Sequence, residues 1–256
     1  MLAMGADSVW FEDSGTDGPP VLLLHLGVGD SSAYDDLWPG LVAEARAIRF
    51  DYRAYGRSPE ATEQWSIVGD ALSVLDHLGL DRVHLVGNSM GGGAALDLAV
   101  LHPERVASLS LLGPGINGYP WPDDPDGEAA YAAATASGEP EDLVAFMLTM
   151  WAAAGNEPRI VELVRGAVRA MPNDREFEVD VEPTYDRLAE IGVPTTMIIG
   201  EIDAPDLVAA NHAAAHRIRG ARIVLMPGVD HYMSIREPDW TLRLVLETAG
   251  ILPPAG

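Results

Sequence analysis

Residues 83–96 read VHLVGNSMGGGAAL, and they carry the clearest structural signal in the chain. It begins as a short apolar strand, turns sharply at glycines and continues with small residues that suit a helix. Gly87-x-Ser89-x-Gly91 is the G-x-S-x-G pattern of a nucleophile elbow, in which a strained turn exposes a serine hydroxyl at the end of a sheet. The free N–H groups at the start of the next helix favour negative charge beside that hydroxyl. Ser89 is therefore predicted to be a nucleophile that attacks a carbonyl carbon.

The composition excludes several classes of chemistry and of partner. The 256 residues suit one large α/β domain or one domain with an insertion. Cysteine is absent and all 16 basic residues are arginine, which excludes disulfides, thiolate metal sites and lysine Schiff bases. A formal charge of −23 disfavours nucleic acid and anionic membranes as partners. With no signal-like or membrane-length apolar run, we expect a soluble cytoplasmic protein, either a monomer or a homodimer.

The order of predicted elements indicates a doubly wound, mostly parallel sheet, because strands and helices alternate. Helices are predicted at 33–45 and 65–78. The predicted strands of the first half are 8–12, 21–25, 47–51, 83–86 and 106–112. The alternation fails over 113–182, which is rich in proline and glycine, and it resumes at 194–200. We therefore predict a core formed by 1–113 and 191–256, and a helical cap inserted at 114–190.

A serine nucleophile needs a general base and an acid that orients it. His231 is the one histidine of seven that lies in a loop directly after a late predicted strand. Asp203 is the preferred acid in the loop after the preceding strand, with Asp206 and Glu201 as reserves. Asp230 is a competitor, although it is too close to His231 in sequence to fold back on the imidazole easily.

The oxyanion that forms during such an attack needs two N–H donors. Met90, the residue after the nucleophile, is predicted to supply one. The loop 25–29 is predicted to supply the other, with Gly27 as first choice and Leu26 as second. Removing one such donor typically raises the barrier by roughly 2.7–4 kcal/mol, so this loop matters nearly as much as the three side chains.

Large side chains of the insertion, together with two near the predicted catalytic loops, are candidates for contact with substrate. A lid must both pack on the core and line a pocket, so the pattern does not divide them between these roles. The predicted substrate-contacting residues are Leu26, Tyr119, Trp121, Met147, Trp151 and Tyr232. No metal or cofactor is required by this chemistry, and no site for either is predicted.

Several segments, in the right order, resemble landmarks of the α/β-hydrolase superfamily, and the likeness extends from Val9 to Glu247. The segments are 22–25, 51–58, 87–92, 102–106, 200–203, 228–231 and 237–238. The resemblance implies that fold, with a helical cap inserted after the sixth strand. It also implies Ser89 as nucleophile, Asp203 as acid and His231 as base. The chain departs from the family at Leu26, where glycine is usual, and this predicts a narrower site or a redirected N–H.

The resemblance implies a serine hydrolase that acts on a carboxylic ester or lactone, with a small hydrophobic or cyclic substrate. One alternative on the same fold is a hydrolase of carbon–carbon bonds of the meta-cleavage type, because the elbow at 87–92 is similar in both groups. A second alternative is a non-catalytic, ligand-binding protein that resembles a hydrolase. Labelling of Ser89 by a fluorophosphonate separates this last class from the enzymes.

Overall fold

The computed structural model describes residues 9–179 and 181–254, and in this part of the chain seven strands form one sheet. The strands are β1 (Phe11–Asp13), β2 (Pro20–Leu24), β3 (Arg46–Phe50), β4 (Val83–Asn88), β5 (Val106–Leu112), β6 (Thr195–Gly200) and β7 (Arg222–Met226). Their order across the sheet is β1-β3-β2-β4-β5-β6-β7. β1 is antiparallel to β3, and the other neighbours are parallel. The predicted mostly parallel sheet is confirmed.

Helices cover both faces of this sheet. They are α1 (Trp38–Glu44), α2 (Ile67–His77), α3 (Met90–Leu101), α4 (Pro125–Ala136), α5 (Pro140–Trp151), α6 (Pro158–Phe177), α7 (Pro205–Arg217), α8 (Met233–Arg236) and α9 (Pro238–Thr248). Leu22 and Leu24 of β2 pack in one core with α2, α3 and α7. Val21 and Leu23 pack in a second core with α1 and α9. The continuous apolar run of β2 follows from this arrangement, because successive side chains enter opposite cores.

The segment between β5 and β6 contains α4, α5 and α6, and it forms a third apolar cluster above the sheet. In this cluster Met147 and Leu163 of the inserted helices pack with Leu26, Val28 and Tyr232. Within the described residues five strands precede the insertion, so the expectation that it follows the sixth strand is corrected to the fifth. The inserted helices therefore lie against loops from the carboxyl ends of strands, where sites form in sheets of this type.

Two predicted elements differ in detail. The predicted helix at 33–45 is a 3-10 turn at Ser31–Tyr34 followed by α1, which has Pro39 in its first turn. Proline lacks the N–H that would continue a preceding helix but is well suited to begin a new one. The edge strand predicted at 8–12 is observed as β1, and Ser8 lies outside the described residues.

None of the described helices is both long enough and apolar enough to cross a membrane.

Candidate active site

Ser89 stands between the end of β4 and the start of α3 on strained backbone. Its φ of +53° and ψ of −116° lie in a region that residues other than glycine rarely adopt. The Ser89 N–H donates to Leu112 O at 2.9 Å, and Ser89 O accepts from the Gly115 N–H at 2.9 Å. The neighbouring strand β5 and the loop after it therefore hold the serine in this conformation.

The glycines around Ser89 allow the helix to pass very close to the sheet. A Cβ added to Gly91 would collide with Leu24 O, and one added to Gly87 would collide with Gly91 O. The Gly91 N–H also donates to His25 O at 3.1 Å, which joins the helix to the end of β2. The G-x-S-x-G spacing is thus required by backbone contacts on both sides of the serine.

Gly91→Ala is expected to lower the free energy of unfolding by about 3 kcal/mol or more, because the new methyl group meets backbone rather than a movable side chain. Urea unfolding monitored by circular dichroism measures the change. Gly166→Ala in α6 is the matched control, since a Cβ there meets nothing within 4 Å. The control should keep or slightly raise the stability, because alanine favours helix. Equal stability of the two variants would contradict the close-contact argument.

Asp203 and His231 come together at the carboxyl ends of β6 and β7. His231 Nδ1 lies 2.8 Å from Asp203 Oδ2, and both side chains are buried. The other carboxylate oxygen, Oδ1, accepts the Ala204 N–H at 2.8 Å. An ionised aspartate can only accept, so the shared proton belongs to Nδ1 and Nε2 is left as the basic atom.

His231 Nε2 is buried and has no hydrogen-bond partner among the described residues. Ser89 Oγ is therefore not hydrogen bonded to His231 Nε2 in this structure, although Leu112 and Gly113 link the two residues. The Ser89 N–H donates to Leu112 O, and a Cβ added to Gly113, the residue after Leu112, would lie 3.5 Å from His231 Nδ1. Hydrogen bonds between a nucleophile and its base are often long without substrate and shorten on binding.

The other acids considered as partners of His231 have different contacts. Asp230 accepts from Arg236, with Nη2 at 3.0 Å from Oδ2, and from the Ala154 N–H at 2.9 Å. Glu201 is exposed and accepts the Gly228 N–H. Asp206 is exposed at the start of α7. Asp203 is thus the acid that the structure places on the imidazole.

Gly27 and Met90, the predicted oxyanion donors, are neighbours. A Cβ added to Gly27 would lie 3.2 Å from Met90 Sδ. Neither backbone N–H donates to a described residue. The Leu26 N–H also lacks an acceptor there, so this second choice stays open. The Leu26 side chain is fully buried in the third apolar cluster, and it is not among the residues that line the cavity at Ser89.

His25 fixes the orientation of the peptide that carries the Gly27 N–H. His25 Nε2 accepts the Tyr52 N–H at 3.1 Å, so Nδ1 carries the proton and donates to Leu26 O at 2.8 Å. The ring also stacks on Tyr52 with 3.7 Å between centroids. Since C=O and N–H point in opposite directions in a trans peptide, this bond turns the Gly27 N–H away from His25.

The burial of His25 predicts a pH dependence of stability. Burial lowers the pKa of His25 below its ordinary value of 6.5, because the imidazolium loses hydration. Below pH 6.5 the unfolded chain takes up a proton that the folded protein resists, so stability falls as pH falls. The expected slope is about 1.4 kcal/mol per pH unit for this one proton, until the pH reaches the folded pKa. Unfolding free energies measured across this range test the slope.

His25→Gln removes this titration, so the stability gap between the wild type and the variant should narrow as pH falls. His216→Gln is the control, because His216 is exposed on α7. It should leave the pH dependence of stability unchanged. A gap that stays constant with pH for His25→Gln would contradict a neutral, buried imidazole.

A cavity of about 270 Å³ opens at Ser89. Its lining combines the elbow, the loop 25–29, one other core loop and the inserted helices. The lining residues are Gly27, Val28, Tyr55, Ser89, Met90, Met147, Trp151, Met171 and Asp174. A second cavity of about 230 Å³ shares Met90 but is lined by neither Ser89 nor Gly27, so the first is the candidate site.

The predicted substrate-contacting residues divide into two groups. Met147 and Trp151 of α5 line the cavity, and the Trp151 ring lies 4.5 Å from that of His231. The remaining four are not among its lining residues. Leu26 and Tyr232 are fully buried in the third apolar cluster, Tyr119 packs edge-on against Tyr185, and Trp121 is 45% exposed.

Four lining residues, Val28, Tyr55, Met171 and Asp174, were not among the predicted site residues. Tyr55 lies in the 51–58 segment, whose sequence indicates the fold but does not indicate that Tyr55 lines the cavity. Asp174 lies in the last turns of α6 among other charged residues. Tyr55 Oη donates to Asp174 Oδ2 at 3.0 Å across 119 positions of sequence. A local sequence pattern cannot predict a hydrogen bond between residues so far apart in the chain.

The loop between α5 and α6 is tied to the loop of His231. Asp230 accepts the Ala154 N–H, and Arg236 donates to Gly155 O at 2.5 Å. Arg236 also forms an ion pair with Glu157. These contacts hold the end of α5, and with it Trp151, against the imidazole.

In the described ranges, no group of three or more His, Asp or Glu side chains is arranged to hold a metal ion.

Residues 19–154 match a family model described as alpha/beta hydrolase fold. The chain is 41% identical over 117 residues to the dihydrolipoyllysine-residue acetyltransferase component of the acetoin cleaving system of Pseudomonas putida, over 43% of this chain and 32% of that protein. It is 37% identical over 107 residues to 2-hydroxy-6-oxo-6-phenylhexa-2,4-dienoate hydrolase of Comamonas testosteroni, over 39% of this chain and 37% of that protein. The chain therefore matches only about a third of the length of these curated relatives.

The structure is also similar to that of a thermophilic esterase from Thermogutta terrifontis. The TM-score is 0.75 at 26% sequence identity, and the match covers 93% of this chain and 92% of that one.

Proposed function

Because this chain belongs to the α/β-hydrolase family, we propose that it is a serine hydrolase that cleaves carboxylic esters or lactones through an acyl-enzyme on Ser89. The observation that carries the proposal is the buried Asp203–His231 pair with a basic Nε2 that has no described partner. Ser89 lines the adjacent cavity on strained backbone. A nucleophile, a base oriented by an acid and a cavity that can hold the substrate are the requirements of acyl transfer.

In the proposed reaction, substrate in the cavity brings its carbonyl carbon to Ser89 Oγ. His231 Nε2 takes the serine proton as the C–O bond forms, and Asp203 stabilises the imidazolium. His231 then returns the proton to the leaving alcohol oxygen, which leaves an acyl group on Ser89. A water molecule, deprotonated by the same Nε2, attacks the acyl carbon. The bond between the acyl carbon and Ser89 Oγ then breaks, Nε2 returns the proton to Oγ, and the acid leaves.

The Gly27 and Met90 N–H groups are proposed to hold the negative oxygen of each tetrahedral intermediate. Two observations support this role: both groups lack described acceptors, and they belong to neighbouring residues that both line the cavity. The hydrogen bond from His25 to Leu26 O supports a fixed direction for the Gly27 donor. Donors already aimed at the developing charge need no rearrangement during the reaction.

Residues 114–190 are proposed to act as a cap on a core formed by 1–113 and 191–256. Met147, Trp151, Met171 and Asp174 of this segment line the cavity together with core residues, which supports the division. The cap supplies an apolar cover, and Trp151 shields the imidazole from water.

Ester or lactone cleavage is favoured over carbon–carbon cleavage by the charge of the cavity lining. The similar carbon–carbon hydrolase is named for a dienoate, a substrate that carries a carboxylate. The described cavity lining of this chain contains the carboxyl of Asp174 and no arginine. A carboxylate in this cavity would meet an acid without a described cation to offset it.

The test measures turnover by the wild-type protein of p-nitrophenyl esters of increasing acyl length, a set of lactones and a meta-cleavage dienoate. We expect enzyme-dependent hydrolysis of esters or lactones, stoichiometric labelling by a fluorophosphonate, and no cleavage of the dienoate. Faster cleavage of the dienoate than of any ester would favour the carbon–carbon reaction. Absence of both labelling and turnover would favour a ligand-binding protein.

A further inference from the structure

Asp174 is an acid in an otherwise largely apolar wall of the candidate substrate cavity. It lines this cavity together with Ser89, and the residue is only 9% exposed. The neighbouring lining includes Val28, Met147 and Met171. Burial raises the pKa of Asp174, which reflects the cost of placing this carboxylate among such groups.

The hydrogen bonds of this carboxyl are incomplete. Oδ2 accepts from Tyr55 Oη at 3.0 Å, whereas Oδ1 is buried and has no hydrogen-bond partner among the described residues. The carboxyl of Glu178 lies close enough to share a hydrogen bond with Asp174 when one of the two carries a proton. When both are ionised, Glu178 cannot donate, and a buried acceptor without a donor is costly.

We propose that Asp174 selects substrates bearing a hydroxyl or ammonium group, which donates the hydrogen bond that this carboxyl lacks. The inference rests on the ester- or lactone-hydrolase function proposed above. It adds that the substrate of that site carries a polar group that donates a hydrogen bond. The apolar lining around Asp174 contacts the hydrocarbon part of the same substrate. The preferred substrate is thus a small ester or lactone that is mainly apolar and carries one hydrogen-bond donor.

The net charge of the whole protein also favours substrates with an ammonium group over substrates with a carboxylate. A formal charge of −23 gives a negative potential that attracts cationic and repels anionic ligands. The aromatic rings of Tyr55 and Trp151 in the lining are also favourable neighbours for an ammonium group. A substrate with a carboxylate is disfavoured by both the local and the overall charge.

The experiment compares p-nitrophenyl esters of one acyl chain length that end in methyl, hydroxyl, ammonium or carboxylate. The wild type should show kcat/KM about tenfold or more higher for the hydroxyl and ammonium esters than for the methyl ester, with the carboxylate ester slowest. Asp174→Leu should remove the preference for the donors, and Asp174→Asn, which keeps an acceptor for Tyr55, should reduce it. Asp174→Asn also serves as the informative variant if the leucine variant does not fold.

Glu176→Leu is the matched control, because Glu176 is an exposed acid on the same helix and is not among the cavity-lining residues. It removes the same charge and should keep the wild-type order of the four esters. A purely structural role of Asp174 would lower kcat/KM for all four esters by one factor, and this outcome would overturn the inference. Equal hydrolysis of methyl and hydroxyl esters by a wild type that needs Ser89 would also overturn it while leaving the hydrolase function intact. Failure of the wild type to hydrolyse any ester or lactone would instead overturn the proposed function.

Discussion

Ser89→Ala is expected to lower kcat for ester hydrolysis by roughly 10⁴-fold or more while the protein remains folded. The variant lacks the oxygen that forms the acyl-enzyme, so only the oxyanion donors and substrate binding can still contribute. The effect on folding should be small, because alanine keeps the Cβ that serine already places on the strained backbone. Steady-state kinetics on the best p-nitrophenyl ester, together with thermal unfolding, measures both quantities.

Ser73→Ala is the control for this experiment, since Ser73 is exposed on α2 and donates only to Gly69 O among described residues. It should keep wild-type turnover. A fluorophosphonate should add one adduct to the wild type and to the control but none to Ser89→Ala, as peptide mass spectrometry can establish. Equal labelling or equal turnover of Ser89→Ala and the wild type would exclude Ser89 as the nucleophile.

The sequence predicts best those parts of the candidate site whose backbone geometry allows only particular residues. Gly87 and Gly91 are needed because a Cβ at either position collides with nearby backbone. A requirement of this kind leaves a short, recognisable pattern. The positions of Asp203 and His231 follow in the same way, because parallel strands place the loops at their carboxyl ends along one edge of the sheet.

The walls of the cavity are harder to predict, because they depend on how distant segments pack. Tyr55 and Asp174 are joined by a hydrogen bond although 119 positions separate them. Trp121 and Trp151 are both large aromatic residues of the insertion, so the sequence predicts substrate contact equally for the two. Only packing distinguishes them, since Trp151 lies on the His231 ring whereas Trp121 is 45% exposed.

The departure at Leu26 has a physical explanation that its sequence alone does not supply. The side chain does not narrow the cavity at Ser89, because it packs with Val28 and Leu163 in the cluster formed by the inserted helices. The backbone of the same residue is held by His25. A large residue at this position thus anchors the loop 25–29 to the inserted helices.

The second large effect is expected for Asp203→Asn, which should lower kcat by roughly 10³–10⁴-fold. Asp203 Oδ1 accepts the Ala204 N–H, and Oδ2 accepts from His231 Nδ1. An asparagine that keeps its oxygen on Ala204 turns its NH₂ group towards the imidazole. Nδ1 must then become the acceptor, so the proton moves to Nε2 and the lone pair that would deprotonate Ser89 is lost.

Glu201→Gln and Asp206→Asn are the matched controls, because each neutralises an exposed acid within three residues of Asp203 that does not bind His231. Both should keep kcat close to the wild-type value. If either control lost activity while Asp203→Asn kept it, the acid would be misassigned. KM should change little in Asp203→Asn, since Asp203 is not among the cavity-lining residues. A loss confined to kcat therefore separates a change in the protonation of His231 from a general disturbance of the site, which would raise KM as well.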